Sequence, residues 1–190
     1  MGTHESPGEK EPKVPARAAG IVALLNTRPH ATPTLPDTLD DPTTAAEVLA
    51  PFGQPAGVPL TPGQLDQVRA VRADLMAVVD AADPEHAERG WTNLTADASG
   101  ATFRQVFSTR GEARLEQVAG DQVIGRIALD VAELVRDNIW SRIRACANEQ
   151  CRHVFYDTTR SRTQRWDSYE TCGNRVNVAA HRARGNRSRG

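Results

Sequence analysis

Cysteine is scarce in this chain: Cys146, Cys151 and Cys172 are all there is in 190 residues, and they lie within 27 positions of one another. An odd number cannot be fully paired as disulfides. In a reducing compartment so tight a cluster reads better as metal ligation. Long apolar runs are missing too, since no stretch of 18 apolar residues occurs, and the N-terminus lacks the charged, apolar, small-residue order of a secretory signal. The expected location is therefore the cytoplasm, with no membrane partner. Aromatic residues make up only 5% of the chain, which allows a modest core. No Ser-His-Asp or Cys-His pairing and no glycine-rich phosphate loop can be argued, so the expectation is a protein that is not an enzyme.

Charge of one sign is absent from the whole but not from its parts. The 23 basic and 24 acidic residues nearly cancel. From Ser141 to Gly190, however, there are 11 Arg, no Lys and 4 acidic residues, a net of +7, against −8 for the rest. A basic segment of that density is the electrostatic footprint of a polyanion binder.

The pattern along the chain divides it in three. Residues 1–16 are rich in Gly, Pro and charge and read as a disordered tail. Residues 17–145 read as an α+β domain, mainly helical. Ala18 to Asn26 is short and apolar and tilts to helix, and Asp41-Pro42 opens a short helix through Leu49. Thr61-Pro62-Gly63-Gln64 carries a capping box, and Leu65, Val68, Val71, Leu75, Val78 and Val79 follow at helical spacing to about Ala82. Between Trp91 and Val118 three short runs rich in aromatic and β-branched residues suggest an antiparallel three-stranded β-meander. From Asp121 to about Ala145 the apolar series Val123, Ile124, Ile127, Val131, Val135, Ile139 and Ile143 predicts one long helix that delivers the chain to Cys146. Residues 146–190 form the third unit.

In that unit Cys146 and Cys151 fall on a short turn and Cys172 at the start of a final helix. Two thiolates from a knuckle and one at a helix N-terminus can surround Zn²⁺ at roughly 2.3 Å, and the metal would supply stability that so small a unit lacks. Ordinary burial of small thiols and a redox pair of Cys146 with Cys151 are the competing readings. Phe155 and Trp166 read as a mini-core around the metal and not as base-stacking platforms. His153 alone is more often a packed residue than a ligand.

The run Cys146-x4-Cys151-x3-Phe155-x-Asp157-x2-Arg160, then Arg165-Trp166, then Cys172-Gly173-Asn174-Arg175 with a basic tail, resembles the CGNR zinc-finger family of bacterial proteins. The resemblance implies bound zinc and a small treble-clef-like finger. More loosely, the upstream pattern looks like the ABATE-type domain that accompanies this finger in stress-induced transcription regulators. One departure stands out: the family usually has cysteine directly after the Arg-Trp pair, and here that position is Asp167. Aspartate can ligate zinc through oxygen. Asp167 is the first candidate for the fourth ligand, beside His153, His181 and water.

The arginines fall into two groups, Arg160, Arg162 and Arg165 on an expected hairpin, and Arg175, Arg182 and Arg184 on or past the last helix. Both groups are candidates for phosphate contact, which needs only mobile positive charge. Asn174 and Arg175 have an alternative, structural use in tying the finger to Asp157 or to backbone carbonyls. The leading expectation is a zinc-binding transcription regulator whose finger contacts DNA, while the N-terminal domain senses a small-molecule effector or self-associates as a homodimer. The alternative is a zinc-stapled module for RNA or an acidic protein.

Overall fold

A computed structural model describes residues 14–178. The expected N-terminal tail, up to residue 13, and the basic end of the chain, with His181, Arg182 and Arg184, lie outside the described residues.

Helix α1 (Ala16–Asn26) starts at Ala16 directly after Pro15, and it buries Ala18, Ile21, Leu24 and Leu25. A long loop with a 3₁₀ turn at Thr38–Asp40 leads to α2 (Pro42–Leu49), capped by the Asp41 carboxylate on the Thr44 amide, 2.8 Å. Helix α3 (Pro62–Val79) begins with the expected capping box, in which Thr61 and Gln64 each satisfy the other's backbone amide.

The meander is not formed. Its first run, Trp91 to Asp97, lies in helix α4 (Pro84–Asp97), opened by Asp83 as cap and Pro84 as first helical residue. That start signal sits upstream of the Trp and Thr residues whose β-propensity suggested a strand, and it outweighs them. α4 packs closely on α3 because residue 90 is glycine: a Cβ there would lie 2.7 Å from a Val78 methyl and 3.0 Å from the Asp74 carbonyl oxygen. What remains of the meander is a two-stranded antiparallel hairpin, β1 (Thr102–Phe107) and β2 (Ala113–Ala119).

Helix α5 (Gln122–Arg136) is capped by Asp121 on the amides of Val123 and Ile124. It ends nine residues short of the expected Ala145. The series Ile127, Val131, Val135, Ile139, Ile143 advances by four residues, which rotates about 40° per step around a helix of 3.6 residues per turn. By Val135 the apolar position has left the buried face and is exposed. The helix closes at Asn138, which takes a left-handed conformation (φ 56°), and the Ile139 amide returns to the Leu134 carbonyl at 2.8 Å.

Ile143 is instead the first residue of β3 (Ile143–Ala145), paired antiparallel with β4 (Val154–Tyr156). Strand alternation splits this hairpin between two cores. Ile143, Val154 and Tyr156 pack into the main core with Ile21, Leu24, Leu75, Ile127 and Leu134. Phe155, on the opposite face, packs with Cys146, Cys172, Cys151 and Trp166 in a separate cluster. Among the described residues the architecture is thus α+β, with five α-helices packed around one apolar centre and two small hairpins, the second of which is shared with the cysteine cluster. Among the described residues no helix is long and apolar enough to cross a membrane.

Candidate metal centre

The turn between β3 and β4 presents the first two thiols. The Cys146 amide donates to the His153 carbonyl at 2.8 Å, and the amides of Cys151 and Arg152 both donate to the Asn148 carbonyl, at 2.8 and 3.0 Å. Arg152, directly after Cys151, is left-handed at φ 56°. The loop 157–164 then carries the chain across the finger. It is held by the fully buried Asp157, whose carboxylate accepts from the Thr159 amide and hydroxyl and from the Gln164 amide. This loop is not the hairpin expected for Arg160, Arg162 and Arg165, because its amides go to Asp157 and Thr159 within the loop rather than to a partner strand. The expected tie from Asn174 or Arg175 to Asp157 is likewise absent from the bonds of that carboxylate, and Arg144, at 3.9 Å, is its cationic neighbour instead.

A single π-helical turn, Tyr169–Gly173, delivers the third thiol, with Ser168 capping it on the Thr171 amide and helical residues 174–178 following. Gly173 is needed for space: a Cβ would come within 2.8 Å of the Tyr169 ring, which meets the Trp166 ring edge-on at 5.9 Å between centroids.

These elements bring Cys146, Cys151, Asp167 and Cys172 together, with one donor atom from each lying within 4.8 Å of all the others. Cys146 and Cys172 are buried, and Cys151 and Asp167 partly so. Asp167 divides its carboxylate: one oxygen accepts from the Ser168 amide at 2.7 Å, and the other takes the Cys151 thiol at 3.5 Å. Burial pushes the Cys151 thiol up to about 12, opposed by the His153 amide and reinforced by Cys172, Cys146 and Asp167. Cys146 is raised for the same first reason. Burial alone would also raise Asp167, but hydrogen bonds from the Cys172 and Cys146 thiols and the Ser168 amide outweigh it and hold its carboxyl below the usual range. Four acidic donors turned toward one point, with two thiols driven to their neutral form, fit a cation: three soft sulfurs and one oxygen are a donor set that suits Zn²⁺. Amides of Asn148 and Asp167 directed at the Cys146 sulfur, and of His153 at Cys151, supply the outer shell such a site requires.

His153 is not in the cluster. Its Nε2 accepts from the Asn26 side-chain amide at 3.2 Å, and burial lowers its pKa, so it serves as a neutral acceptor toward α1. The remaining candidate, His181, lies outside the described residues.

The arginines separate by use. Arg142 donates to the carbonyls of Asp157 and Thr159, at 2.9 and 2.8 Å, and Arg144 to that of Arg162, at 2.7 Å. Arg162 reaches the Asn138 carbonyl and the Ser141 hydroxyl, at 3.2 and 3.3 Å. Arg165 is exposed, with its guanidinium over the Trp166 ring at 5.1 Å, and Arg160 and Arg175 are also exposed. Sequence reading missed the residues of the helical part that grip the cysteine turn, Asn26, Arg28 and Thr32. They are more than 110 positions away, and no local pattern marks them.

No curated protein matches the chain. Residues 142–185, which hold all four clustered donors and the Cys172-Gly173-Asn174-Arg175 motif, match the family model of the CGNR zinc finger.

Proposed function

We propose that this protein is a zinc-binding transcription regulator, with Zn²⁺ held by Cys146, Cys151, Cys172 and Asp167 as a closed structural site, and with the finger contacting DNA. The observation that carries the DNA reading is the division of labour among the arginines. Arg142 and Arg144 are spent on loop carbonyls, whereas Arg160, Arg165 and Arg175 are exposed on the same metal-bearing segment. Exposed guanidinium groups on a stiffened scaffold lose less entropy on meeting phosphates than groups on a free chain. Arg182 and Arg184, together with the net +7 of residues 141–190, extend the same positive stretch. Arg162, engaged with Asn138 and Ser141, would have to exchange those weak bonds to join them.

The sensing or self-associating role belongs to the helical part. An open cavity of about 880 Å³ lies between β2 and α5, with Phe52, Phe103 and Leu115 as apolar lining and Arg114, Arg126 and Gln117 as polar lining. A small-molecule effector would use that space, and catalysis is no part of the reading.

The test is a titration of the full zinc-loaded chain against random and selected DNA duplexes at several salt concentrations. Binding should weaken steeply with salt, and changing Arg160 and Arg165 together to Ala should reduce the slope by about one to two phosphate equivalents. Absence of binding at low salt overturns the DNA reading. Preference for RNA or for an acidic protein would make the finger an interaction module of that kind.

A further inference from the structure

The cysteine turn is not held by the finger alone. Cys151 lies between Gln150 and Arg152, and the backbone carbonyls of both neighbours accept hydrogen bonds from the helical part: Gln150 from the Thr32 amide at 2.8 Å, Arg152 from the Arg28 guanidinium. Two residues on, Val154 is gripped at both backbone groups by one side chain. Its amide donates to Asn26 Oδ1 and its carbonyl accepts from Asn26 Nδ2, each at 2.8 Å. The second proton of that amide goes to His153 Nε2. Arg28 is itself anchored to the Leu25 carbonyl at 2.7 Å, and Arg152 pairs with Asp80 at 2.6 Å.

This clamp acts where the backbone needs it. Arg152 is held left-handed, a conformation that a non-glycine residue keeps only when its surroundings enforce it. Bonds within the turn, such as the Arg152 amide on the Asn148 carbonyl, hold it from one side, and contacts from residues 26–32, outside the matched segment 142–185, hold it from the other. Of the three thiols, Cys151 is also the most exposed, so its position depends most on its backbone.

We infer that Asn26, Arg28 and Thr32 are positioning residues for the metal centre, so that metal occupancy of the finger and docking of the helical part on the cysteine turn are one coupled equilibrium. The inference rests on the reading of the cluster as a metal site. Coupling of this kind is reciprocal: loosening the clamp must weaken the metal, and removing the metal must loosen the clamp by the same factor. The helical part, where an effector would bind, is thereby in thermodynamic contact with the finger without any ligand spanning the two.

Both directions are measurable in the full chain. Zinc affinity is read by competition with a chromophoric chelator for the wild type, Asn26→Ala, Arg28→Ala and, as a control, Thr61→Ala, which removes the α3 cap far from the turn. Outer-shell losses typically lower metal affinity by about 10- to 100-fold, and that drop is expected for Asn26→Ala and Arg28→Ala but not for Thr61→Ala. In the reverse direction, hydrogen exchange of the wild type is followed with and without zinc. The Thr32 and Val154 amides should lose protection on chelation while amides in the middle of α3 keep theirs. Should Asn26→Ala fail to fold, Arg28→Ala and the wild-type exchange experiment carry the test. Zinc affinity within about twofold of wild type for the clamp variants, against the usual outer-shell loss, together with unchanged protection at Thr32, overturns the coupling. A wild type that binds no zinc at all overturns the metal reading, and the coupling with it.

Discussion

At the scale of single residues the chemistry turns on Asp167. Its carboxylate faces three sulfurs while one oxygen stays on the Ser168 amide, so it offers a single hard donor to a soft set. Thiolate is the better match to Zn²⁺. Asp167→Ala should weaken zinc binding and Asp167→Cys strengthen it, as read by chelator competition; equal affinities across the three proteins would show that this carboxylate is not a ligand. The thiols add a pH dependence of definite sign. Burial raises Cys151 to about 12 when no cation is present, so the thiol is protonated at neutral pH and metal must displace that proton. Zinc affinity should therefore rise with pH through the neutral range, with protons released on binding, measurable by calorimetry in buffers of different ionisation enthalpy.

Among the elements, the loop between α1 and α2 is tied to α3 by a buried ion pair that adds to its own backbone bonds, such as Thr38 N–H to the Thr27 carbonyl at 2.9 Å. Arg72 on α3 meets Asp37 with two bonds, at 2.8 and 2.5 Å, and also donates to the Thr27 hydroxyl at 2.8 Å. The hydrogen bond from Arg72 holds the Asp37 carboxyl below its usual range against the opposing effect of burial. A depressed carboxylate stabilises the fold above its unfolded pKa of 3.8, and that contribution is lost as pH falls toward the folded value. Asp37→Asn leaves a mostly buried guanidinium without its charge partner and should cost about 3 kcal/mol in chemical denaturation. The same loop carries Arg28 and Thr32, so the variant should also loosen the grip on the cysteine turn.

Taken as a whole, the molecule does not divide cleanly at its cysteine-bearing end. Ile143 and Val154 are 4% and 0% exposed in the main core, and Tyr156 packs beside them. A fragment of residues 141–190 would turn these side chains out to water. Even with zinc it should bind a hydrophobic dye and hold metal more weakly than the full chain does. By the same logic Cys172→Ser should release the metal and lower the thermal midpoint of the whole protein in a single transition, not melt the finger alone. Two well-separated transitions in calorimetry would argue that the finger folds independently.

The features written in the sequence are those that depend on near neighbours. Caps such as Asp41-Pro42 and the Thr61–Gln64 box announce helix starts, and the clustering of the three thiols announces a metal site, because each needs only residues a few positions apart or of a chemistry too specific for ordinary packing; the choice of Asp167 over His153 as the fourth donor came from the fold. Where local signals competed, reading failed: Trp91 to Asp97 carries β-propensity but belongs to a helix begun at Asp83-Pro84, and the four-residue apolar series past Val131 belongs to two elements separated by Asn138. Tertiary structure alone decided which arginines are spent and which are exposed, and that Asn26 caps both backbone groups of Val154. Those outcomes depend on which backbone carbonyls the fold leaves without a partner, and a carbonyl 128 residues away in the chain leaves no trace in the local pattern around Asn26.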